Sequence, residues 1–220
     1  TSMEIHRLRP SFNGYAIKVA GMRNRITLND IYNNTGGGGL LVQPITTNNM
    51  ENNDFVIGRI HVHNGDAIHM ECLDDGIQSI IYNTFHINEL FSRNGNCIYC
   101  ENGWGENKWY GGKLSTVAGW GIYMKNHMFN KMYGFSMEAD CYAGIYLDGS
   151  SHNSFIGFRD IELIMNKQEN TDRGTLIKFV NGSCRASNYY QTSDSIYGKC
   201  IDIAEERTIK SYTTWGIVNT

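Results

Sequence analysis

One phrase recurs along this chain and limits what it can fold into. It reads glycine, one or two variable residues, an aliphatic anchor, any residue, then an apolar residue. The clearest copies are Gly65-Asp-Ala-Ile68-His-Met70, Gly95-Asn-Cys-Ile98-Tyr-Cys100, Gly119-Trp-Gly-Ile122-Tyr-Met124 and Gly198-Lys-Cys-Ile201-Asp-Ile203. Further copies place anchors at Ile17, Leu41, Ile145 and Ile177. The copy Gly39-Leu-Leu41-Val-Gln43 is the poorest, because Gln43 stands where an apolar residue is expected. Successive anchors lie 24, 27, 30, 24, 23, 32 and 24 residues apart. A strict period would predict a propeller or a helical repeat. A floor near 23 with variable excess predicts a coil of constant size with loops inserted at a corner.

Each repeat has room for about three short strands. After the anchor comes an Asn or Gly turn and a second apolar stretch, as in Asn53-Asp-Phe55-Val-Ile57 and Asn153-Ser-Phe155-Ile-Gly157-Phe158. A third stretch follows in places, as in Arg59-Ile-His-Val62. Apolar residues alternate with polar ones, which is strand periodicity. With 24 Gly, 24 Asn and 2 Pro, the chain is rich in residues that tolerate the left-handed conformation of tight turns. A leucine-rich repeat is rejected, since its ladder of leucines and fixed Asn is missing. The reading is all-β: a single-stranded right-handed parallel β-helix, a solenoid of about eight coils forming one domain over 1–220. The phrases run almost from end to end with no polar cap, so a piece of a longer chain is expected. The GWGENKWYGG stretch at 103–112 reads as the longest glycine-flanked loop, with Trp104 and Trp109 exposed on it.

A net charge of −3 gives no electrostatic reason to expect nucleic acid or an acidic membrane surface. No apolar run is long enough to span a bilayer, and no charged-then-apolar leader opens the chain, so membrane insertion is not expected. The six cysteines are too dilute for a disulfide scaffold, and Cys97 and Cys100 are expected as buried thiols rather than half a zinc site. Asp74 and Asp75 beside Glu71 read as a solvated turn. His61, His63 and His69 could form a metal group, but without a carboxylate partner they read as spectators in metal binding. No metal and no cofactor is expected.

The Gly-x-x-Ile-x-apolar phrases, with stretches such as GIYLDGSSHNSFIGF (144–158), resemble the pectate-lyase-like parallel β-helices, and among them the phage tailspike and tail-fibre depolymerases. The resemblance covers nearly all of the chain. It implies a homotrimer and a place in the virion tail, acting outside the host cell on a surface polysaccharide. The pectate lyase branch would instead imply a calcium-assisted monomer, but its aligned Asp residues with a following Arg are missing.

If coils stack, equivalent residues form columns about 4.8 Å apart. With anchors inward, the next residue points outward. That outer column reads Lys18, Val42, His69, Tyr99, Tyr123, Tyr146, Lys178 and Asp202. Two places on, a second outer column includes Pro44, Glu71, Glu101, Lys125 and Asp148. Four consecutive middle coils thus carry an aromatic ladder beside an ionisable one. His69, Tyr99, Tyr123 and Tyr146, with Trp104 and Trp109, are the candidate sugar platform. Glu71, Glu101, Asp148 and Lys125 are the candidate catalytic set, because glycoside hydrolysis needs two carboxylates. Glu138 and Asp140 are a weaker alternative pair. Three readings stay open at this point: a glycan depolymerase working by hydrolysis or lyase chemistry, a non-catalytic adhesin, and a structural tail shaft.

Overall fold

The computed structural model describes residues 1–10, 13–33, 37–45, 49–72, 79–163, 177–179, 182–187 and 201–203. Among the described residues there are strands and turns and no helix. The strands fall into an eight-stranded sheet, an eleven-stranded sheet and a small two-stranded one, and all their pairings are parallel.

The eight-stranded sheet is the repeated phrase. Its strands are Ile17–Val19, Leu40–Val42, Ile68–Glu71, Ile98–Trp104, Trp120–Met128, Ala143–Asp148, Ile177–Phe179 and Ile201–Ile203, in chain order across the sheet. Between successive visits to it, the chain crosses to the eleven-stranded sheet and back. Parallel neighbours need such crossovers, and here strands supply them where helices usually would. The second sheet begins with Ser2–Ile5 and continues with nine-residue strands at Arg25–Asn33, Asp54–Val62 and Thr84–Ser92. Later the same path is split into two consecutive shorter strands per repeat, such as Lys108–Tyr110 then Lys113–Thr116, and Lys131–Tyr133 then Ser136–Cys141.

The anchors are in register. Ile17, Leu40, Ile68, Ile98, Ile122, Ile145, Ile177 and Ile201 are successive backbone partners. One anchor is corrected: it is Leu40, not Leu41. That one-residue shift turns Leu40 and Val42 fully inward and puts Leu41 and Gln43 on the outer columns, displacing Val42 and Pro44. The reason is chemical. Gln43 needs polar partners, and there its amide accepts from Lys18 Nζ (2.5 Å) and donates to Glu71 Oε2 (3.1 Å). A one-residue slip exchanges core face for outer face, so burial of two aliphatic side chains decides the register.

The interior is one continuous apolar cluster running from Ile17 to Phe158. Inside it, Phe55, Phe85 and Trp109 stack at 4.5 Å and 3.8 Å between ring centres, nearly coplanar in orientation. A second internal column is polar. The buried Asn53, Asn83, Asn107, Asn130 and Asn153 form a ladder in which each backbone N–H or side-chain amide donates to the next asparagine's Oδ1, mostly at 2.9–3.0 Å. Residues just before ladder positions, Asn52, Tyr82 and Phe129, hold positive φ near 60° and make the tight corner. A buried amide is stable only when its donors and acceptors are satisfied, and stacking identical corners satisfies them in series. The sequence reading took these asparagines as turn markers and missed the ladder. Its signal is that they recur at the anchor spacing.

His127 sits beside this ladder, fully buried, with Nδ1 2.7 Å from Asn130 Nδ2. Accepting there leaves its hydrogen on Nε2, which has no partner among the described residues. The ring lies over Gly103, where a Cβ would come within 2.5 Å of it. Burial pushes the imidazole down to about 4 from an ordinary 6.5. Between those values the unfolded chain binds a proton that the folded chain refuses, so stability rises with pH and is lost as pH falls. Taking the unfolded value as about 6.5, His127 should remove about 2 kcal/mol between pH 7 and pH 5. Urea midpoints at the two pH values should show this loss in the wild type and a clearly smaller one in His127→Gln. Equal losses would mean that His127 is not the responsible group.

Candidate functional site

Strand alternation in the eight-stranded sheet turns His69, Tyr99, Tyr123 and Tyr146 outward on four successive register positions. The rings stack along the sheet, His69 on Tyr99 at 4.6 Å, Tyr99 on Tyr123 at 5.0 Å and Tyr123 on Tyr146 at 4.5 Å, with interplanar angles of 24°, 16° and 11°. Tyr15 caps the His69 end edge-on at 5.4 Å, and Trp120 leans on Tyr146 at 5.2 Å. This geometry changes what the stripe can offer a ligand. Rings stacked this closely spend their faces on each other, so the stripe presents ring edges and phenol hydroxyls. A sugar would meet it mainly through hydrogen bonds and not by lying on an aromatic face.

The second outer column is also in register, with Glu71 beside Glu101, Glu101 beside Lys125 and Lys125 beside Asp148. Glu101 is its hub. Its Oε1 accepts from Lys125 Nζ at 2.5 Å and its Oε2 from the Tyr99 hydroxyl at 2.6 Å. Partial burial pulls the Glu101 carboxyl upward, but the hydrogen bonds from Lys125 and Tyr99 and the Lys125 charge together hold it below the usual range. Tyr99 moves the opposite way, raised by burial and then by its bond to the Glu101 anion. Burial and the neighbouring Tyr146 and Asp148 push Tyr123 up to about 12. Neither phenol is a proton acceptor near neutral pH. Lys125 is held protonated by its bond to Glu101.

His69 belongs to both columns. Its Nδ1 lies 2.9 Å from Asp66 Oδ2 and its Nε2 3.6 Å from Glu71 Oε2. Asp66 in turn accepts from the Asn96 backbone and side-chain amides at 2.9 Å and 2.8 Å through Oδ1. The result is a chain of contacts from Asp66 through His69 to Glu71 and on to Gln43 and Lys18. The sequence reading missed Asp66, Gln43 and Lys18 as members of this network. The Gly65-Asp66 phrase carried the only signal, since an acidic residue three positions before an outward histidine can reach its ring.

Two expectations about 103–112 are corrected. The segment is not a loop, because it contains the end of Ile98–Trp104 and the strand Lys108–Tyr110. Trp109 is fully buried, stacked on Phe85, and its Nε1 donates to Asn130 Oδ1 at 3.2 Å, so it contacts no ligand on this face. Lys108 and Tyr110 occupy the exposed positions on either side of it, which leaves Trp109 inward. The Trp104 backbone pairs with Met128; its side chain lies outside the described residues. Asp74 and Asp75 also lie outside them, as do the side chains of Glu138, Asp140, Lys178 and Asp202.

Cys72, Cys97 and Cys100 are buried, and burial pushes the Cys100 thiol up, away from reactivity. No group of three or more histidine, cysteine or carboxylate side chains is placed to hold a metal among the described residues. His61 lies on the second sheet and His69 on the first, so the three histidines do not converge. Comparison with known proteins finds no matching family model, no matching curated protein and no matching solved structure.

Proposed function

We propose that this chain is a right-handed parallel β-helix of the pectate-lyase-like, phage tailspike type, whose coils wind through the two sheets. On this reading it assembles as a homotrimer in the virion tail, binds a host surface polysaccharide along the His69–Tyr146 stripe and cleaves it. The observation that carries the reading is the coherence of the two outer columns. Stacked aromatic groups and a row of carboxylates and lysine cover the same four register positions, linked by the Tyr99–Glu101–Lys125 hydrogen bonds.

The roles are assigned by position, and the electrostatics bear on Glu101 alone. Glu101, held as an anion, is the nucleophile or base. Glu71 on the neighbouring strand, facing His69, is the proton donor. Adjacent strands lie about 4.8 Å apart, near the separation of about 5–5.5 Å that a retaining carboxylate pair needs. Asp148 and Lys125 line the next positions along the chain of sugars.

Incubation with host surface glycan, followed by assay for new reducing ends, tests cleavage. Binding is tested separately with Tyr123→Phe. If hydroxyls and not ring faces meet the sugar, losing that one hydroxyl should weaken binding by about 1 kcal/mol, roughly fivefold. Affinity equal to wild type would remove the stripe from the binding surface. Binding without product release would favour the adhesin.

A further inference from the structure

A second aromatic stack lies on the outer face of the other sheet. His86 stacks on Tyr110 at 5.0 Å and Tyr110 on Tyr133 at 5.3 Å, with interplanar angles of 11° and 13°. Tyr110 is 38% exposed, and the His86 side chain 51%. Beside this stack, Lys108 and Lys131 are direct backbone partners on neighbouring strands, and both are exposed. Neither lysine has an ion-pair or hydrogen-bond partner among the described residues, and neither do the hydroxyls of Tyr110 and Tyr133. The contrast with the first stripe is in the cations. There Lys125 is paired to Glu101 and Lys18 to Gln43, whereas here two ammonium groups one strand apart face solvent unneutralised.

The arrangement repeats. Each of two successive strands presents one ammonium and one phenol hydroxyl, two residues apart on the same face. Like charges at a spacing of about 4.8 Å repel, so an anion placed between or along them is favoured. One end of the row is closed by Asp54, 3.9 Å from His86 and 3.8 Å from Arg25. Thr84 and Ser154 flank the two lysines as neutral positions. Both faces of the central Tyr110 are covered by His86 and Tyr133, which disfavours a ligand that binds by stacking on successive rings, such as single-stranded nucleic acid.

We propose that Lys108, Lys131, Tyr110 and Tyr133 form a second ligand site, distinct from the His69–Tyr146 face, for an acidic polysaccharide carrying carboxylates on successive sugars. The ammonium groups take the carboxylates in charge-assisted bonds, and the phenols donate to ring hydroxyls. The site does not rest on the glycan reading of the first stripe.

Calorimetric titration with polygalacturonate and alginate oligomers, with neutral dextran oligomers as control, tests this. Polyuronate should bind, weaken with added salt, and lose about tenfold in affinity in a Lys108→Gln/Lys131→Gln double variant. These are exposed positions, so the variant should fold, and an unchanged melting temperature checks it. The proposal is overturned if the double variant binds as wild type, if dextran binds equally, or if oligothymidylate binds more tightly than polyuronate. It is also overturned if light scattering shows self-association that the double variant abolishes, since the face is then an interface between copies.

Discussion

Ile122→Asp should leave the protein without a cooperative folded state. Ile122 is fully buried and pairs with Ile98 on one side and Ile145 on the other, in the middle of the anchor column. An aspartate there removes apolar contacts to two neighbouring repeats and buries a charge with no cation facing it. The charge alone costs several kcal/mol, and total stability for a domain is typically about 5–15 kcal/mol. Ile122→Val, which keeps the shape of the column, should cost about 0.5–1.5 kcal/mol. Circular dichroism on heating distinguishes them. A soluble Ile122→Asp protein with a wild-type melt would mean that the column does not face the core.

Glu101→Gln should lower turnover on the cognate polysaccharide by at least about 10²-fold while leaving binding nearly intact. The amide keeps the size of the side chain, but its single oxygen can accept from only one of Tyr99 and Lys125, so it loses the negative charge and one acceptor. The rate should also carry that charge's signature in pH. On the proposed reading Glu101 works as a carboxylate, and its neighbours hold it below the usual glutamate range, so activity should persist into mildly acidic solution. Lys125→Met removes the main groups holding it down and should move the acid limb of the rate profile to higher pH. If amides at Glu71, Glu101 and Asp148 all keep full turnover, the chemistry lies elsewhere on the molecule.

The anchors show what was legible in the sequence. A glycine followed by an aliphatic at i and an apolar residue at i+2 is a local pattern, and seven of the eight anchors stand where that pattern put them. The outer columns at His69, Tyr99, Tyr123 and Tyr146 followed from the same alternation. The exception, Leu40, shows the limit. The string Leu40-Leu41-Val42 fits either register locally, and burial of Leu40 and Val42 together with the side-chain bonds of Gln43 to residues 25 and 28 positions away decides it.

What tertiary structure alone decided are the properties that depend on neighbours one repeat away. Trp109 looks like a surface residue in a glycine-rich string, yet Phe85 and Met132 on the adjoining strands make its place an interior one. The stacked faces of the tyrosines, which turn a sugar-stacking platform into a row of hydroxyls, exist only when three strands lie side by side. The low carboxyl of Glu101 needs Lys125 from the next repeat. Alternation sets which way a side chain points, because it is a property of one strand. Ring stacking, ion pairing and the satisfaction of a buried amide are pairwise energies between residues more than twenty positions apart, and the fold is what brings those partners together.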